Sequence, residues 1–201
     1  MLGIIFSSKK RRAAAVVLFS VFISVALSVQ AAAATVRKVS AERQKFISQA
    51  LKLQGIPYVY GGKTPSGFDC SGFVCYAVRE SFGVKFPASA QQIYDKCVPI
   101  PAGKKEPGDL IFFKADPNGN ISHVGIYLGK YHSTSGKHPE YEGKRVFISA
   151  VSDGPVTGTV IRAIDERYWQ EHFYAYGRFL MSTQEAEDLL KASPVRNLVE
   201  K

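Results

Sequence analysis

After Pro107-Gly108 the hydrophobic period of the chain changes, and no other feature constrains its fold as much. Upstream, apolar residues recur at helical spacing; downstream they alternate as strands do. The first helix is predicted over Ser40–Leu53, where Phe46, Ile47, Ala50, Leu51 and Leu53 share a face before Gly55-Ile56-Pro57 stops it. A second is predicted from Asp69 to about Ser81, ahead of Gly83, and a third over Ser89–Lys96. The predicted strands are Asp109–Phe113, His123–Leu128, Val146–Val151, Gly158–Ala163 and Phe173–Arg178. Helices followed by strands make an α+β domain, with N-terminal helices packed on a central antiparallel sheet of about five to six strands. Between the second and third strands Gly129–Arg145 is polar, and reads as an extended hairpin loop or a lid.

The 201 residues, 46% hydrophobic and 21% charged, suit one globular domain with appendages and exclude disorder throughout. Lys9-Lys10-Arg11-Arg12, an apolar run from Ala13 to about Val29, and then Ala31 to Ala34 describe a secretory signal peptide over residues 1–34. The expected product is exported to the periplasm, the extracellular space or the cell wall, with no stable membrane insertion after cleavage. The domain is expected over 35–180. A charged tail follows over 181–201, with a short helix at Gln184–Lys191.

Residues 1–34 hold four basic residues and no acidic ones, so their removal lowers the net charge from +9 by four, to +5. That excess suits either an anionic wall surface or a plain solvated face. Nucleic acid is excluded by export and by the lack of a dense basic stripe with interleaved aromatics. Three cysteines are too few for a disulfide framework. Cys75 reads as a small hydrophobe, and a Cys75–Cys97 bridge stays open. No CxxC or HExxH spacing and no phosphate-cradling loop is present, so no metal or other cofactor is expected.

Gly67-Phe68-Asp69-Cys70-Ser71-Gly72-Phe73 places a cysteine at the start of the second helix, with Asp69 as its N-cap. A helix N-terminus carries partial positive charge, which favours a thiolate nucleophile. In Ser122-His123-Val124-Gly125-Ile126-Tyr127-Leu128 a histidine opens a strand. A cysteine on a helix and a histidine on a strand can meet across a cleft, where the imidazole takes the thiol proton and returns it to a leaving amine.

These two blocks, with Gly55-Ile56-Pro57-Tyr58-Val59-Tyr60-Gly61-Gly62 before them and Pro107-Gly108-Asp109-Leu110-Ile111-Phe112-Phe113 between them, closely resemble the NlpC family of bacterial cell-wall cysteine peptidases. The resemblance implies a circularly permuted papain-like fold. It also implies hydrolysis of amide bonds in peptidoglycan stem peptides, next to D-glutamate or diaminopimelate, through an acyl-enzyme. It assigns Cys70 as nucleophile and His123 as base. Tyr58 then stands near the thiol as an oxyanion partner, and Asp69 and Ser71 as substrate contacts in addition to capping the helix. The departure is at the third catalytic position: where the family usually has histidine, this chain reads Phe147-Ile148-Ser149-Ala150. Ser149 can orient the imidazole but carries no charge. His132 and His138 in the long loop, and Asp153, are the alternatives. A monomer acting on stem peptides is expected. Two other functions stay open: a wall-binding module that keeps the cleft without the chemistry, and a transferase on the same fold.

Overall fold

The computed structural model describes residues 41–179 apart from 88, 134, 135, 153 and 155. The expected signal peptide, Asp153 and the tail helix lie outside the described residues. Among those described, no helix is long and apolar enough to cross a membrane.

Helix α1 spans 41–52, and Phe46, Ala50 and Leu53 at its helical spacing are all buried. A two-stranded ribbon follows, β1 (Lys63–Thr64) against β2 (Gly67–Phe68). Helix α2 runs Cys70–Phe82. Asp69 caps its start by accepting a hydrogen bond from Gly72 N at 2.6 Å. Gly83, at φ 71°, ends it by donating its N–H to Arg79 O. Gly72 has a second role. A Cβ there would sit 2.0 Å from Gly62 O, so only glycine lets the glycine-rich loop lie against the first turn of α2. Helix α3 covers Ala90–Tyr94, stopping earlier than expected, with Ser89 as its cap.

The sheet has six strands: β3 (Val98–Ile100), β4 (Leu110–Phe113), β5 (His123–Lys130), β6 (Arg145–Val151), β7 (Gly158–Ala163) and β8 (Phe173–Arg178). Its order is β3-β8-β4-β5-β6-β7 and every pair is antiparallel. The last strand therefore returns to the middle, between β3 and β4. A short helix α4 (Arg167–His172) leads into it. The sequence reading had neither the ribbon, β3 nor α4, all too short to carry a period of their own.

Alternation divides the core between the two faces of the sheet. On β6, Val146, Ile148 and Ala150 point to the helices, where they join Phe46, Phe73, Val74 and Phe112. Phe147 and Val151 point the other way, into a smaller cluster with Phe113, Tyr127, Trp169 and Tyr176. Full burial of such an apolar side chain contributes about 1.5–3 kcal/mol relative to exposure, so the two clusters hold the sheet from both sides.

One polar hub crosses these layers. The Asp109 carboxylate, fully buried just before β4, accepts from Arg43 Nη1 at 2.9 Å on α1, and from Arg178 Nε at 2.8 Å and Nη2 at 2.9 Å on β8. The backbone N–H of Glu106 donates to its other edge at 2.8 Å. A buried carboxylate is tolerated because its lone pairs are met, and here the partners tie α1, β4 and β8 together.

Candidate active site

Cys70 is the first residue of α2, and His123 is the first of β5. The capping that starts the helix and the β4–β5 pairing that starts the strand fix both positions. Phe113 pairs with His123, and Ser122 N donates back to Phe113 O at 3.0 Å. Ile121 N is held by Gln91 Oε1 at 2.9 Å, so α3 anchors the segment entering β5.

The Cys70 sulfur lies against the backbone on either side of the histidine. Sγ is 3.8 Å from Ser122 O, and the backbone N–H groups of Val124, Ser71 and Cys70 face it. Those N–H groups lower the thiol pKa. Burial raises it, the Asp69 charge adds to that, and the result is pushed up to about 11. Burial and the neighbouring carboxylate thus act against the helix end, which by itself favours the thiolate.

On the other side, His123 Nε2 and Ser149 Oγ are 3.0 Å apart. The ring sits among aromatics, its centroid 5.1 Å from that of Trp169 and 5.8 Å from that of Phe113. Burial pushes the imidazole pKa down to about 4, against the opposing pull of Asp69. Ser149 is fully buried on β6 and reaches His123 because β5 and β6 approach closely there. A Cβ on Gly125 would come within 2.6 Å of the Phe147 ring and 3.2 Å of Ser149 Cβ. Ser149, which the resemblance offered at the third catalytic position, is thus brought against the imidazole.

Of the other expected residues, Asp69 and Ser71 are engaged in the cap. Ser71 Oγ donates to Asp69 Oδ1 at 2.9 Å, beside the bond from Gly72. Tyr58 bridges Phe68, two residues before the thiol, with its ring against the larger core cluster. The loop histidines do not reach the site. His132 pairs with Glu142 at 2.8 Å, and His138 with Glu140 at 3.2 Å, both in the connection that follows Lys130. β5 carries the chain about 3.3 Å per residue away from His123, so that loop begins roughly 23 Å from the imidazole. Cys75 donates to Pro87 O at 3.0 Å and Cys97 is also a free thiol, so the bridge left open by the sequence is not formed.

The sequence reading missed Trp169. Its indole packs against His123, ring centroids 5.1 Å apart, and is itself buried. Its being the sole tryptophan of the chain was the available signal.

A sequence model of the NlpC/P60 family matches residues 55–178. The chain is 32% identical over 148 residues to the murein DD-endopeptidase MepH of Escherichia coli, which is 71% of this chain and 48% of that protein. To the gamma-DL-glutamyl hydrolase of Bacillus subtilis it is 35% identical over 134 residues, 66% of this chain and 28% of the relative. Among solved structures it is similar to an NLP/P60-family protein of Staphylococcus aureus, with a TM-score of 0.54 and 31% identity over 71% of this chain and 42% of the other. The chain spans less than half the length of these three relatives.

Proposed function

Because the chain belongs to the NlpC/P60 family, we propose that it is an exported cysteine endopeptidase that hydrolyses amide bonds in peptidoglycan stem peptides. The single observation that carries this reading is the thiol of Cys70 lodged against the backbone of residues 122–124, with His123 held from behind by Ser149. Relatives named as a murein endopeptidase and a gamma-DL-glutamyl hydrolase support the substrate class.

In this mechanism Ser149 Oγ accepts from Nε2–H, which leaves the Nδ1 lone pair to take the thiol proton. As sulfur attacks the carbonyl carbon, the imidazole takes that proton, so no resting thiolate is needed. The oxyanion that forms faces the N–H groups at the start of α2, with the Tyr58 hydroxyl as a further donor. The imidazolium then protonates the leaving amine as the C–N bond breaks. Water, deprotonated by His123, hydrolyses the thioester and releases the acid. Ser149 contributes no charge to the imidazolium. Asp69 does: its charge favours the protonated ring.

The test is mass spectrometry of defined muropeptides incubated with residues 35–201. Cleavage at a stem-peptide amide is expected, and intact muropeptides would contradict the proposal. N-terminal sequencing of the exported protein is expected to begin between Ala32 and Thr35. A full-length, membrane-held chain would contradict that part.

A further inference from the structure

Beside the imidazole, on the face of the sheet away from α1 and α2, a cavity of about 240 Å³ opens between the ends of β6 and β7 and helix α4. His123, Ser152, Gly154, Arg162, Tyr168 and Trp169 border it. Two N–H donors here lack an acceptor. Arg162, only 16% exposed at its side chain, gives Nη2 to Glu166 at 2.8 Å but leaves Nε buried without a partner. Trp169, 3% exposed, leaves its indole N–H unpaired. Neither group can accept a hydrogen bond, so what would satisfy them is an acceptor. A buried donor without one is costly, and a planar guanidinium matches a carboxylate best.

We propose that this cavity is a subsite for a carboxylate on the leaving part of the substrate, read by Arg162 and Trp169. The inference rests on the hydrolase reading, in which His123 delivers its proton to the leaving amine. The amino acid that carries this amine must then lie beside the imidazole, where the cavity opens. Glu166 is the resident competitor: it occupies one position of the guanidinium, and its other oxygen accepts from Ala163 N at 3.0 Å. Removing its charge frees Arg162 for the ligand.

The single tryptophan makes the site directly observable. The probes are L-alanyl-γ-D-glutamyl-meso-diaminopimelate and the same peptide with both diaminopimelate carboxylates amidated. Each is titrated into the Cys70→Ala chain while Trp169 fluorescence is followed. The free acid is expected to perturb the emission and bind more tightly. Arg162→Gln is expected to weaken it by about tenfold to a hundredfold, while the amidated peptide is unaffected. Glu166→Gln is expected to tighten the free acid, an effect opposite in sign to that of Arg162→Gln. Loss of the Arg162–Glu166 pair as a merely structural contact would move both variants the same way, and overturns the proposal. Equal binding of the two peptides by the parent chain overturns it too, and identifies the cavity as a water site. Because cleavage is not required, a preference for the acid in a chain whose parent hydrolyses nothing would uphold the subsite and sink the hydrolase reading alone.

Discussion

Replacing Ser149 by alanine removes the hydroxyl that meets His123 Nε2 at 3.0 Å and changes little else in volume. Ser149 is fully buried, so water does not readily replace the lost oxygen, and the imidazole N–H is left without an acceptor. A neutral hydrogen bond is worth about 0.5–1.5 kcal/mol net, and a buried group left unpaired costs about 1–3 kcal/mol. The second figure applies here. At 1.36 kcal/mol per decade it corresponds to a fall in kcat/KM of roughly 5- to 150-fold. The tautomer supplies the mechanism: without the acceptor, Nε2–H is no longer favoured over Nδ1–H, and only the former can take the thiol proton. Losing the base altogether, in His123→Ala, removes a contribution of about 10²–10⁴-fold. The assay is kcat/KM on one defined muropeptide for the parent, Ser149→Ala, Ser149→Thr and His123→Ala. Threonine keeps the hydroxyl and is expected to restore most of the loss. Ser149→His, the residue usual in the family, is expected to retain or raise activity. A silent Ser149→Ala, or one as inactive as His123→Ala with no rescue by threonine, would refute the orienting role.

Asp109→Ala strips the buried partner from Arg43 and Arg178 and is expected to cost about 3–5 kcal/mol of stability, read by denaturant unfolding; a loss below about 1 kcal/mol would show that Glu106 takes over. Burial pushes the His123 pKa down to about 4 from an ordinary 6.5, so the unfolded chain is expected to bind its proton first. Stability should therefore fall by roughly 3 kcal/mol as pH drops from 6.5 to 4, and this component should vanish in His123→Ala. For the same reason kcat/KM should hold down to about pH 5 on the acid side, and a decline centred at 6.5 would contradict the burial of the ring.

The elements that carry the site were legible because each has a local cause. Asp69 and Gly83 bracket α2, and the alternation from His123 onward puts the imidazole and Ser149 on one face of the sheet, where Ser149 stands beside Gly125 and reaches the ring diagonally. What was not legible depends on the chain's return. Trp169 reaches His123 only because β8 inserts between β3 and β4 and brings α4 across the smaller cluster. The Asp109 hub joins residues 66 and 69 positions apart, a separation that no local pattern records. The upward shift of the thiol pKa was not legible for a similar reason. The helix terminus is visible in sequence, but the burial that outweighs it is produced by the packing of α2 against β5.

The central claim is that Cys70 forms and breaks the bond to the substrate. Its most direct test compares the parent and Cys70→Ala on one defined muropeptide, with products identified by mass spectrometry and folding checked by thermal unfolding. The account predicts stem-peptide cleavage by the parent and none above the blank by a variant that unfolds at an unchanged temperature. Cleavage by folded Cys70→Ala at the parent rate would contradict it.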